Sequence, residues 1–192
     1  MTKHNLPQRH SIRYYGYDYS QEGLYFVTIC TQGRLCLFED IVEEEMVLND
    51  VGRMIEKCWL ALKNRFTNIE LYEYCIMPNH FHGIMQIIDD IGMVVGVPLV
   101  GTRNAENGQP QGIAPTTKIK KSVGDIIRTF KSITTVEYIN NIKQHNWPPF
   151  NGKLWQRNYY EHIIRNDKSH QKITKYIFEN PKYWQTDDYY NQ

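Results

Sequence analysis

Two short runs hold residues able to do chemistry together. The first is His80-Phe81-His82. In a strand, alternate side chains share a face, so the two imidazoles point one way and Phe81 the other. Two neutral imidazoles on one face make half a metal site; two unrelated histidines near a strand end would read the same. The second run is Tyr176-Ile177-Phe178-Glu179-Asn180. On a helix, positions four apart lie on one face, so Tyr176 and Asn180 project together. A phenol and an amide one turn apart fit a nucleophile and a third metal ligand. They equally fit a packing tyrosine and a polar residue before Pro181.

The elements that must position these residues are legible from periodicity. Residues 24–30 (LYFVTIC) form a strand by β-branched and aromatic content. Asn49 or Asp50 caps a helix whose apolar residues Val51, Met54, Ile55, Cys58, Trp59 and Leu62 recur at helical spacing, weakened slightly by Gly52. Residues 69–76 and 81–88 are two further strands around the turn Met77-Pro78-Asn79. Residues 89–118, with GMVVGVP and NGQPQG, make a long loop insertion. Ser122 and Asp125 form a capping pair at the start of a second helix with the stripe Val123, Ile126, Ile127, Phe130, Ile133 and Val136. Residues 146–153 connect it to a strand at 158–165, and a last helix runs from about Lys168 to Asn180, where Pro181 closes it. Residues 1–22 read as a polar, Tyr-rich N-terminal arm, and 182–192 as an aromatic but polar tail.

The order β-α-β-β-α-β-α contains the split arrangement of a ferredoxin-like fold. The expected architecture is therefore α+β: a four-stranded antiparallel sheet with helices on one face, plus a C-terminal helix carrying Tyr176. A chain of 192 residues is read as a single domain spanning 1–192.

Composition bounds the function classes. Hydrophobic residues are 41% and charged residues 22%, which excludes disorder as the main state. No apolar run reaches membrane-spanning length and the first 25 residues lack a signal-peptide core, so no membrane partner and a cytoplasmic location are expected. Cys30, Cys36, Cys58 and Cys75 show no zinc spacing; Cys58 and Cys75 read as small buried hydrophobes. A net charge of +1 gives no global attraction for nucleic acid, so binding would rest on local basic patches.

MPNHFHGI, WQRNYYEHIIR and YIFENP, in this order, resemble the IS200-like transposase domain. More narrowly they resemble the REP-associated tyrosine transposases, members of the HUH single-strand nuclease superfamily. The resemblance runs from about Ser11 to Trp184, with YFVTIC and PNHFH among its most specific parts. It implies a ferredoxin-like sheet, His80 and His82 as metal ligands, Tyr176 as catalytic nucleophile, and Mg²⁺ or Mn²⁺ as the divalent metal. Asn180 falls where IS200-like enzymes carry a glutamine ligand, whereas the REP-associated branch has the Asn-Pro pair found here. The implied activity is nicking and rejoining of single-stranded or hairpin DNA through a 5′-phosphotyrosine. A homodimer in which a partner copy supplies the helix is compatible with the resemblance.

For the DNA, the local candidates are Arg9 and Arg13 among the arm tyrosines, Lys118, Lys120 and Lys121, Arg128 with Lys131, and Arg157 with Arg165. Tyr159 and Tyr160 are less favoured nucleophiles, read as strand residues. Two other functions remain open: a non-cleaving hairpin-binding protein on the same fold, and a metal-dependent phosphodiesterase in which water attacks.

Overall fold

The computed structural model describes residues 16–38, 41–43, 45–88 and 121–190. Every strand and helix expected from periodicity falls inside these ranges; residues 1–15 of the expected arm, with Arg9 and Arg13, and the 89–118 segment, with Lys118 and then Lys120, lie outside them.

Strand β1 (Gly23–Cys30) is followed by a minor pair, β2 (Ile41–Val42) and β3 (Glu45–Met46). Next come helix α1 (Asp50–Leu60), β4 (Ile69–Met77), β5 (His80–Ile87), α2 (Val123–His145), β6 (Tyr160–Ile164) and α3 (Asp167–Glu179). The main sheet has the order β4-β5-β1-β6, and every neighbouring pair is antiparallel. This is the ferredoxin-like sheet expected from element order. The two-residue pair β2–β3 is too short to leave a periodic signal in sequence.

The helix starts are capped as their sequences dictate. Asn49 accepts from the Gly52 amide, and Asn166 accepts from Ser169. Ser122 and Asp125 form a complete capping box. Pro181 ends the α geometry of α3, but it does not end the helical path. The chain continues as a 3₁₀ segment, Asn180–Thr186, with the proline in its first turn, where a missing N–H costs nothing.

The sheet buries both faces, unequally. On one side α1 and α2 cover Tyr25, Val27, Ile29, Phe81, Met85 and Ile87, with Trp59, Phe130 and Trp155 at the centre. Trp59 and Phe130 lie 4.6 and 5.3 Å from the Phe81 ring, respectively. Gly83 permits this approach, because a Cβ there would meet Phe81 and Trp59 ring atoms at 2.8 Å. Gly52 has a similar reason in α1, since a Cβ would come within 2.8 Å of Leu48 and 3.0 Å of the Phe38 carbonyl. Tyr17 and Tyr19, expected in a free arm, pack against this core instead, with Tyr17 Oη 3.3 Å from Tyr25 Oη.

On the other side lie α3 and the 3₁₀ segment that follows it. Ile177 and Ile173 dock on Phe26, Ile84, Ile164 and Leu24, with Cys75 half-buried at the edge. This smaller cluster is the base on which the polar site stands.

Candidate active site

The alternation of β5 sets the site. Phe81, Gly83 and Met85 face the main core, so His80 and His82 must face α3. Both are buried, at 0% and 1% exposed. Burial without a countercharge disfavours the imidazolium. His80 is pushed down to about 2, by burial first and then by the neighbouring His82 and Arg34; burial alone lowers His82 to about 3. Both rings are neutral at physiological pH and offer lone pairs.

Hydrogen bonding decides which nitrogen offers its pair. Asn79 donates its amide Nδ2 to the carbonyls of Tyr189 (2.8 Å) and Arg34 (3.3 Å). Its Oδ1 therefore faces His80 and accepts from Nδ1–H at 2.9 Å, leaving the His80 Nε2 lone pair free. Thr28 lies directly across the ladder from His82, and its Oγ1 is 2.8 Å from His82 Nδ1. Phe26, two residues earlier, stacks on the His82 ring at 5.3 Å. The two Nε2 atoms point at one another, 2.9 Å apart.

Helix α3 brings the phenol. Tyr176 Oη is 3.3 Å from His82 Nε2, and the ring stands edge-on to Phe26 at 6.1 Å. The side chain is 43% exposed, so it touches both the imidazoles and solvent. Its pKa is pushed up to about 12, by burial first and then by the Asp187 carboxylate. A hydrogen bond from Asn180 works the other way. Asn180 also hydrogen-bonds Asp187, and its Oδ1 is buried without a partner. The α3 register thus joins His80, His82, Tyr176 and Asn180 in one cluster.

Asp187 and Tyr189 belong to the same cluster, although neither lies in a sequence motif that points to it. The ligand atoms of His80, His82 and Asp187 all lie within 4.8 Å of one another. Burial raises the Asp187 carboxyl above its ordinary range. The Tyr189 ring covers His80 at 4.7 Å, and Arg34 sits over Tyr189 at 5.4 Å while donating to the Asp188 carbonyl. The one signal available was an acidic pair seven residues beyond Asn180 in an aromatic tail. Its position became meaningful only once the 3₁₀ segment turned it back over β5.

Two imidazole nitrogens and a carboxylate oxygen form a donor set that fits a divalent cation. A cleft of about 560 Å³ opens beside it, lined by Lys172, Lys175, Tyr176, Glu179, Asn180, Tyr183 and Asp187 among others. A larger groove, about 670 Å³, lies between α1 and α2 and contains none of these site residues.

The remaining candidates are dispersed. Arg157 and Arg165 are exposed on either side of β6. Lys131 turns inward: its ammonium donates to the carbonyls of Gln156 and Asn158 at 2.9 and 3.0 Å and sits over the Tyr159 ring. Arg128 pairs with Asp125 at the surface. Tyr160 lies on the Tyr176 side of the sheet, its ring 6.4 Å from Phe26, yet no hydrogen bond links it to the histidines.

No protein-family model matches the chain. An uncharacterized protein of Haemophilus influenzae is 37% identical over 196 residues, covering 98% of both chains. The chain belongs to the same family as that protein. A solved REP-associated tyrosine transposase bound to a REP hairpin superimposes with a TM-score of 0.52 at 17% identity, covering 88% of this chain and 73% of that one. A candidate transposase from Deinococcus radiodurans has a TM-score of 0.44 at 16% identity, with 88% and 96% covered. The fold of this chain is that of the REP-associated tyrosine transposase, as the resemblance of its motifs implies. Among the described residues no helix is long and apolar enough to cross a membrane.

Proposed function

We propose that this protein is a metal-dependent tyrosine transposase that nicks and rejoins single-stranded or hairpin DNA through a 5′-phosphotyrosine intermediate. The observation that carries the proposal is the placement of the Tyr176 hydroxyl 3.3 Å from a histidine nitrogen whose partner imidazole nitrogen lies 2.9 Å beyond. A lone buried tyrosine or a lone histidine pair would not require this convergence.

His80 and His82 would hold a divalent cation, Mg²⁺ or Mn²⁺, with a third group from α3 or the tail beyond it. When bound, such an ion neutralises the phosphodiester charge that otherwise repels a nucleophile. Tyr176 Oη then bonds to phosphorus as the P–O3′ bond breaks. The phenol proton is lost and the departing 3′ oxygen gains one, so the products are a 5′-phosphotyrosine and a 3′-OH. The ester keeps the bond energy, and the reverse attack by a 3′-OH rejoins strands without ATP. A tyrosine phenol is protonated at neutral pH in any case, and burial and Asp187 push it further up, to about 12, so proton loss is the costly part of the step. The Asn180 hydrogen bond to Tyr176 favours the phenolate and reduces that cost. Lys172, lining the cleft beside Tyr176, offers charge to a DNA backbone, while Lys175 stands 3.8 Å from the Glu179 carboxylate in the same cleft.

The test is incubation with 5′- and 3′-labelled hairpin DNA and Mn²⁺, followed by a denaturing gel. A protein–DNA adduct that is lost in Tyr176→Phe supports the proposal. Binding without cleavage would favour a hairpin-binding protein, and cleavage surviving Tyr176→Phe would favour attack by water.

A further inference from the structure

We infer that the tail carboxylate Asp187 is the third protein ligand of the cation, with Asn180 as the residue that positions it, so that metal binding and tail docking are one event. This rests on the metal-site reading above and deepens it.

The geometry assigns the roles. Ligand atoms sharing one cation at bond lengths of about 2.0–2.2 Å lie about 3–4.4 Å apart. The two histidine nitrogens are 2.9 Å apart, and the Asp187 oxygen lies within 4.8 Å of both. The carboxylate thus sits almost at ligand separation already. Two imidazoles and one carboxylate also match a divalent ion in charge and hardness better than two imidazoles and a neutral amide. The Asn180 amide, 3% exposed, is engaged with Tyr176 and Asp187, which holds the carboxylate in place.

The tail carrying Asp187 is tied to the histidine strand from the other side. Asn79, the partner of His80 Nδ1, donates to the Tyr189 carbonyl at 2.8 Å. Arg34 donates to the Asp188 carbonyl at 2.9 Å. A cation bridging His80, His82 and Asp187 would close a ring whose other side is this Asn79–Tyr189 link. Loss of the cation would leave the tail held by these polar contacts and by the packing of the Trp184 and Tyr189 rings against His80.

The test measures Mn²⁺ binding to the full chain by loss of the aqueous Mn²⁺ resonance, alongside hydrogen exchange of residues 187–190. Wild type should bind one ion and slow exchange in the tail. His82→Ala should abolish binding. Asp187→Asn should weaken it by about tenfold or more, because ligand charge dominates affinity for hard cations, and should remove the tail protection. Asp187→Ser is a second removal should the amide fail to fold, and Asp188→Asn is the neighbouring control expected to bind normally. Asp187→Asn binding like wild type, with His82→Ala inactive in binding, overturns the ligand assignment and leaves the histidine site standing. A wild-type chain that binds no Mn²⁺ overturns both.

Discussion

Replacing Thr28 by valine tests how the histidine pair is oriented. The change keeps the side-chain shape and removes one hydroxyl. Thr28 is 3% exposed and His82 is 1% exposed, so no water replaces the lost partner of Nδ1 at 2.8 Å. Leaving a buried polar atom unpaired costs about 1–3 kcal/mol. For a chain of this size each kcal/mol lowers Tm by about 2–4 °C, so the variant should melt about 2–12 °C below wild type. The same bond fixes which nitrogen of His82 faces Tyr176. Its loss should therefore weaken Mn²⁺ binding by about 10–100-fold, the usual effect of removing a partner that orients a metal-binding histidine. The assay pairs thermal unfolding in chelator with a Mn²⁺ titration, and Thr28→Ser should restore most of both. A Thr28→Val protein that melts and binds as wild type would refute the orienting role.

Acid should destabilise the metal-free protein. His80 and His82 are neutral when folded, at about 2 and about 3, and titrate near 6.5 when unfolded. Below pH 6.5 the unfolded chain binds more protons, so stability falls as pH drops, by about 1.4 kcal/mol per pH unit for each imidazole, until their folded values are reached. Asp187, raised by burial, opposes this near the ordinary carboxylate range. Urea unfolding between pH 7 and pH 4 should show the decline, and a flat profile would contradict the burial of neutral histidines. Gly83→Ala should cost about 1–3 kcal/mol, because its Cβ would stand 2.8 Å from Phe81 and Trp59 rings that are themselves packed in the core. Chemical denaturation checks this, and unchanged stability would mean that the rings relax freely.

What the sequence disclosed was what periodicity encodes. His80 and His82 alternate with Phe81, so one strand assignment placed both imidazoles on the same face. Ser122–Asp125 and Asn49 marked helix starts because capping is local chemistry. Helical spacing joins Tyr176 and Asn180, and the structure sets Tyr176 beside His82 with Asn180 against Tyr176, because Ile173 and Ile177 dock that helix on Phe26 and Ile84. Asp187 was hidden because nothing local says that a 3₁₀ segment beyond Pro181 will carry the chain back over β5. Tyr17 and Tyr19 are held by Tyr25 in the next strand, and the Tyr19 carbonyl by the Val123 amide at the start of α2, far along the chain; no local pattern in the arm encodes that second contact. Lys131 looked like a surface cation, yet its contacts are carbonyls 25–27 residues away. Thr28 carried no chemical signal in its strand; only the β1–β5 register made it the partner of His82.

The most direct measurement is mass spectrometry of the protein–DNA adduct after proteolysis. The expected product is a nucleotide joined through its 5′ phosphate to the peptide containing Tyr176. An adduct on Tyr159 or Tyr160, or cleaved DNA with a free 5′ phosphate and no adduct at any point in the time course, would contradict it.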